Sequence, residues 1–210
     1  MQDVVRRRKK DLTGILNGID YSIWNPATDE VIPHNYDFKT LDLKLENKKA
    51  LLTKMGLSFE ETVPVIGMVS RLAEQKGIDI IMDGFDDLMK LPIQFIVLGV
   101  GEKRYQAFFE KARKQYPEKV AVQLAFNPDL AHIIEAGSDM FLMASRYEPC
   151  GLNQLYSLKY GTIPIVRATG GLDDTVDDFD VATSSGTGFK FTRYAAEDLV
   201  HAVKRAVETF

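Results

Sequence analysis

The sequence is short of the residues that build metal centres and covalent frameworks: its 210 residues include one cysteine, three histidines and one tryptophan. The single thiol, Cys150, cannot form an intrachain disulfide, and three scattered histidines give no zinc-ligand spacing. Positive charge is not in excess either. With 26 basic against 30 acidic residues the formal net charge is -4, so nothing draws the chain as a whole to nucleic acid. The run "RRRKK" at residues 6–10 is a local exception, but no aromatic residues interleave with it, and it reads as a solvated terminal segment. No apolar run approaches the length of a bilayer span, and the N-terminus lacks the apolar core of a signal peptide. These absences lead us to expect a protein of a reducing cytosol, with neither membrane nor nucleic acid among its partners.

What is present is enough for one substantial core, at 45% hydrophobic residues. Five apolar runs, "VPVIGMVS", "IQFIVLGVG", "VAVQLAF", "DMFLMAS" and "TIPIVRAT", are short and mostly β-branched, as strands buried on both faces are. Helical periodicity lies between them. "GIDIIMDGFDDLMK" puts Ile80, Ile81, Phe85, Leu88 and Met89 on one side, and "KRYQAFFEKARKQY" does so with Tyr105, Phe108, Phe109 and Ala112. Strands alternating with helices predict an α/β domain of three layers, a parallel sheet with helices on both faces. Residues 1–20 read as a lead-in to a domain spanning 21–210. Within that domain, residues 20–62 are polar, turn-rich and punctuated by proline, with a short helical pattern "ENKKALLTKMGL" stopped by Gly56; we expect this stretch to pack on the sheet.

Ligands of such sheets bind beyond the carboxyl ends of the strands, which directs attention to five turns. The first, "RLAEQKG", carries Arg71 and Lys76, two cations suited to an anion, although a pair of ordinary surface charges would look the same. The second, "VLGVGE", has Gly99 and Gly101, expected to let the backbone approach a ligand; the third glycine of a dinucleotide fingerprint is absent, its place taken by Arg104. In "AFNPDLAHII", Asn127 or Asp129 can cap a helix with Pro128 in its first turn, and His132 reads as a partly exposed structural residue rather than a base. "RYEPCGLNQLY" supplies Glu148 just before a helix opened by Gly151 and Leu152, and "RATGGLDDTV" supplies Thr169, Gly170 and Gly171 in a backbone-rich turn. Two cations, a carboxylate and exposed amides suit a phosphate joined to a polyol.

Four segments carry a family resemblance: "GILNGIDYSIWNPATD", "GMVSRLAEQKG", "SRYEPCGLNQLYSLKYGTIPIVRATGGLDDTV" and "GTGFKF". Together they resemble the carboxyl-terminal domain of bacterial glycogen synthases and plant starch synthases. The resemblance implies a GT-B glycosyltransferase, with two Rossmann-like domains facing a cleft, of which this chain is the second. It implies transfer of glucose from ADP-glucose, or less often UDP-glucose, to the non-reducing end of an α-1,4-glucan with retention, and no metal or other cofactor. Arg71 and Lys76 match the pair that binds the donor diphosphate, and Glu148 matches the acid that contacts the transferred glucose. Gly151 and Leu152, with Cys150 beside them, match positions facing the phosphates, and Thr169, Gly170 and Gly171 match the turn that closes the pocket. Phe126, by its place in the third strand-end loop, is assigned to the base.

The chain departs from the broader pattern at Tyr156, eight positions after Glu148, where a second glutamate holds the ribose in many relatives. The amino-terminal domain that would bring the glucan acceptor is also missing, so the isolated domain is expected to bind donor without transferring glucose. The resemblance places the protein in bacterial cytoplasm, or in a plastid if its source is a plant, and leaves the oligomeric state open. Two other readings of the same residues remain: a non-catalytic nucleotide or sugar-phosphate sensor, which has no need of Glu148, and a dehydrogenase, which the missing fingerprint disfavours.

Overall fold

The computed structural model describes residues 2–210; Met1 of the lead-in segment lies outside them. Six strands, β1 Val65–Val69, β2 Gln94–Leu98, β3 Val120–Gln123, β4 Met140–Met143, β5 Ile163–Arg167 and β6 Phe189–Phe191, form one sheet in the order β3-β2-β1-β4-β5-β6. Every neighbouring pair is parallel. Among the described residues, eight α-helices accompany them: α1 Gln2–Arg7, α2 Lys44–Met55, α3 Ile78–Leu88, α4 Lys103–Gln115, α5 Pro128–Gly137, α6 Asn153–Tyr160, α7 Gly171–Thr175 and α8 Ala196–Thr209. The five expected strands are all present. The sixth, "FKF", is three residues long with Lys190 at its centre, so no apolar run marks it.

Side chains alternate across the sheet and build two cores. On one face Ile66, Met68, Phe95, Val97 and Leu142 pack against α3, α4 and α8; on the other Val65, Ile96, Leu98 and Phe141 pack against α2 and α5. The helical stripes fall as their spacing predicts: Ile80, Ile81, Phe85, Leu88 and Met89 are buried on and just beyond α3, and Tyr105, Phe109 and Ala112 on α4, with Phe108 half-buried. The stretch before β1 does pack on the domain, and its helix α2 ends at Met55, just before Gly56. α2 lies so close to α5 that a side chain at Gly137 would overlap Leu51 and the Asn47 carbonyl.

A partly buried set of hydrogen bonds holds the rest of that stretch. Tyr36 donates from its hydroxyl to the Tyr160 carbonyl (2.7 Å), and Asn35 donates to the Pro26 and Asp29 carbonyls (3.0 and 2.7 Å). Among the described residues, no helix is long and apolar enough to cross a membrane.

Candidate functional site

The strand order reverses beside β1: the chain moves outward through β2 and β3, then returns to place β4 on the other side. The loops after β1 and β4 therefore diverge from a shared crevice, where α/β sheets bind their ligands. A cavity of about 210 Å³ opens there, and Arg71, Lys76, Ser145, Glu148, Gly151 and Leu152 are among its walls. Lys76 closes a short 3-10 turn, Glu74–Lys76, and its Nζ lies 2.5 Å from Glu148 Oε2. Ser145 donates to the same oxygen at 3.0 Å. The lysine is one-quarter exposed and the glutamate one-tenth, so the pair is drier than a surface ion pair yet open on the cavity side. Arg71 is exposed, steadied by donating to Gln75 Oε1 at 3.0 Å.

Why these loops hold their positions follows from how closely they interlock. Arg146 donates its backbone N–H to the Gln75 carbonyl (2.8 Å), and its guanidinium pairs with Glu74. Gly77, at φ 74°, allows a closer contact still: a Cβ there would lie 2.0 Å from the Ala144 carbonyl oxygen. Behind Glu148, Gly171 donates its N–H to the Glu148 carbonyl (3.0 Å), and a side chain at Gly171 would meet the Cys150 carbonyl oxygen at 2.0 Å.

Gly170 and Gly171 thus support the Glu148 loop from behind, and neither they nor Thr169 are among the walls of the cavity. Cys150 plays a similar part, its carbonyl accepting from Gln154 Nε2 at 3.0 Å. The helix expected to open at Gly151 and Leu152 begins at Asn153, with Leu152 as its N-cap. Its first N–H groups have no partner within the helix, and Gly151, Leu152 and Asn153 all border the cavity.

A second cavity, about 560 Å³, adjoins the first and shares Val69, Ser70, Arg71 and Asn153 with it. Its walls are mainly apolar: Leu98 at the end of β2 and Val100 after it, Ala125, Phe126 and Pro128 after β3, Tyr156 on α6, and Trp24 from the stretch before β1. Phe126, 87% exposed, is among them. Two of the polar side chains here are tied to the backbone. Asn127 caps α5 by accepting from the Leu130 N–H (3.0 Å), with Pro128 as the first helical residue, and Asn153 Nδ2 donates to the Val69 carbonyl (3.2 Å).

Gly99 borders the apolar cavity, as expected of a strand-end glycine, but Gly101 does not. Side chains at the two would lie 1.9 Å from the Ser70 carbonyl oxygen and 2.0 Å from that of Leu72, so the β1 loop also approaches both closely. His132 is a second correction. It is structural, but buried rather than partly exposed, with Nδ1 2.7 Å from Asp29 Oδ2. Its ring stacks on Trp24 at 3.8 Å, and the other face of Trp24 stacks on Tyr156 at 3.8 Å. Tyr156, the departure from the broader pattern, is therefore an aromatic wall, and burial pushes its phenol pKa up, with the Glu135 charge adding to the shift. Sequence reasoning passed over Trp24, Ser145 and Asn153. Trp24 alone had a signal, as the one tryptophan of the chain set in a polar, turn-rich segment.

Comparison with known proteins agrees with this geometry. Residues 53–209 match the family described as glycosyl transferases group 1. The whole chain is 51% identical to the glycogen synthase of Koribacter versatilis and 49% identical to that of Thermotoga petrophila, in each case covering 43% of the relative. The catalytic domain of starch synthase IV from Arabidopsis thaliana, in a structure bound to ADP and acarbose, superposes with a TM-score of 0.91 at 37% identity. That match covers 99% of this chain and 43% of the other. The chain thus spans less than half the length of the relatives it matches. The expected Rossmann-like half of a GT-B fold and the resemblance to glycogen and starch synthases are both borne out, and the chain belongs to the group 1 glycosyl transferases.

Proposed function

We propose that this domain holds the nucleotide-sugar donor of a glycogen or starch synthase, which passes glucose from ADP-glucose to the non-reducing end of an α-1,4-glucan with retention. One observation carries the reading: Arg71, Lys76 and Glu148 line a single cavity with the start of α6, and that cavity runs into an apolar one. The donor's diphosphate lies against Arg71, Lys76 and the first N–H groups of α6. Its sugar lies beside Glu148, and its base enters the apolar cavity near Phe126. The bond to the leaving diphosphate breaks as negative charge grows on the phosphate oxygens, and cations already in position stabilise that charge without reorganising. The Lys76–Glu148 pair keeps both side chains in the crevice before donor arrives. On binding, Lys76 turns to the phosphate and Glu148 accepts from sugar hydroxyls.

The resembling starch synthase was seen with ADP and acarbose, a nucleoside diphosphate and an oligosaccharide-like molecule, which supports a diphosphate and a glucan as the two ligands. The walls of the larger cavity are mainly apolar, which favours the larger stacking surface of a purine over a pyrimidine read by hydrogen bonds. Calorimetry tests the reading. ADP should bind more tightly than UDP, and an Arg71→Ala, Lys76→Ala double variant should lose most of that affinity. Equal ADP affinity in the folded double variant rules the assignment out.

A further inference from the structure

The apolar cavity owes one wall to a segment that the matched family region, residues 53–209, does not include. Trp24 comes from this segment, and it is held unusually firmly. His132 and Tyr156 cover its two faces at 3.8 Å each, tilted by only 7° and 9°, and Tyr160 meets it edge-on at 6.1 Å. With both faces taken, only the ring's edge remains to border the cavity.

Behind the stack lies Asp29, 5% exposed, and every group facing its carboxylate donates to it. Oδ2 takes His132 Nδ1 at 2.7 Å and the Tyr160 hydroxyl at 2.5 Å, and Oδ1 takes the Val31 N–H at 2.9 Å. A buried carboxylate with these partners is satisfied and therefore rigidifying, and it fixes the plane of His132 on which Trp24 rests. Asp29, His132, Tyr160 and Trp24 make no hydrogen bond or ion pair with Lys76 or Glu148, and nothing in the transfer chemistry calls for them.

We propose that Trp24 and Tyr156 form a preset wall for the base of the donor, and that Asp29, acting through His132, is the positioning residue that sets it. The inference rests on the donor-binding reading above and adds a base-side specificity element contributed by the segment before β1. A wall ordered in advance costs no side-chain entropy when the base arrives, so its value appears as affinity for the whole nucleotide and not for its phosphates. The element thus separates two ligands: ADP, which reaches the wall, and inorganic pyrophosphate, which does not.

The chain's single tryptophan makes the test direct. ADP titrated into the 210-residue chain should change Trp24 emission, and pyrophosphate at saturating concentration should leave it unchanged. By calorimetry, Trp24→Ala should weaken ADP about three- to tenfold, as loss of the edge that borders the base and of the support behind Tyr156 does, and leave pyrophosphate within about twofold. Asp29→Ala should lower the ratio of ADP to pyrophosphate affinity in the same sense, and Asp29→Asn, which keeps an acceptor for His132 and Tyr160, should restore most of it. Where Asp29→Ala does not fold, Trp24→Phe and the wild-type titration decide. If ADP binds with silent Trp24 emission and Trp24→Ala keeps the wild-type ratio, the wall assignment is wrong while the donor reading stands. If the folded chain binds no ADP, both fall together.

Discussion

The two cavities of the crevice are built on opposite plans. The smaller is polar, and two loops, those after β1 and β4, supply its chemistry within short motifs: "RLAEQKG" and "SRYEPCG" contain Arg71, Lys76, Ser145 and Glu148. The larger is apolar and assembled from five separate stretches, with Trp24 and Tyr156 brought together from distant parts of the chain. Charge recognition needs a few groups in fixed places, which a strand-end turn can deliver alone. A slot for a flat ring needs area on several sides, and area has to be gathered from several elements.

The sharpest way to separate the plans is to remove charge. In the Arg71→Ala, Lys76→Ala variant, ADP and pyrophosphate affinity should both fall by at least about a hundredfold, since hydrogen bonds to charged groups contribute about 1.5–3 kcal/mol each. A loss confined to ADP would mean the cations do not hold the phosphates. Next in size is the interlock beneath the polar cavity. Gly77→Ala puts a side chain on a left-handed residue and against the Ala144 carbonyl, and should cost about 2 to 5 kcal/mol in denaturant unfolding. An unchanged midpoint would show that the two loops yield easily.

On the apolar side, Phe126→Ala should weaken ADP roughly tenfold and leave pyrophosphate alone. The residue is exposed, so the fold should keep its stability. Equal weakening of both ligands would blur the division between the cavities.

The smallest effect concerns Glu135, buried on α5 behind the aromatic stack. Desolvation pushes its pKa from 4.5 up to about 8, against the opposing hydrogen bond from Ser157 and the charge of Lys44. Its second carboxyl oxygen has no hydrogen-bond partner among the described residues, which fits a neutral acid. Between those two pH values the folded chain binds more protons than the unfolded chain, so the contribution of Glu135 to stability falls as pH rises from 4.5 to about 8. Lys44, whose pKa burial lowers to about 7, acts in the opposite direction from there toward 10.5. Glu135→Gln, still able to accept from Ser157, should flatten the decline between pH 5 and 7, by on the order of 1 to 2 kcal/mol in urea unfolding. An unaltered slope would remove Glu135 from the account.

What could be read in advance divides along the same line. Strands β1 to β5 and the stripes of α3 and α4 were legible because apolar periodicity is a local signal. β6 was not, because a three-residue strand with a lysine at its centre has no period to detect. The polar cavity was legible because strand ends are where a parallel sheet exposes its loops, and Arg71, Lys76 and Glu148 were conspicuous there. The Trp24 wall was hidden for a physical reason: Asp29 meets His132 across 103 residues and Tyr160 across 131, and no local pattern encodes a contact made by tertiary packing. Gly101 was misleading in an instructive way, since a glycine required for close approach does not say whether a ligand or a neighbouring loop comes near.

The most direct measurement is a crystal structure of this chain with ADP. The account predicts the diphosphate within hydrogen-bond reach of Arg71 and Lys76 and the adenine ring against Trp24, Tyr156 and Phe126. ADP bound away from the crevice between the β1 and β4 loops, or lying there with its base turned out of the apolar cavity, would contradict it.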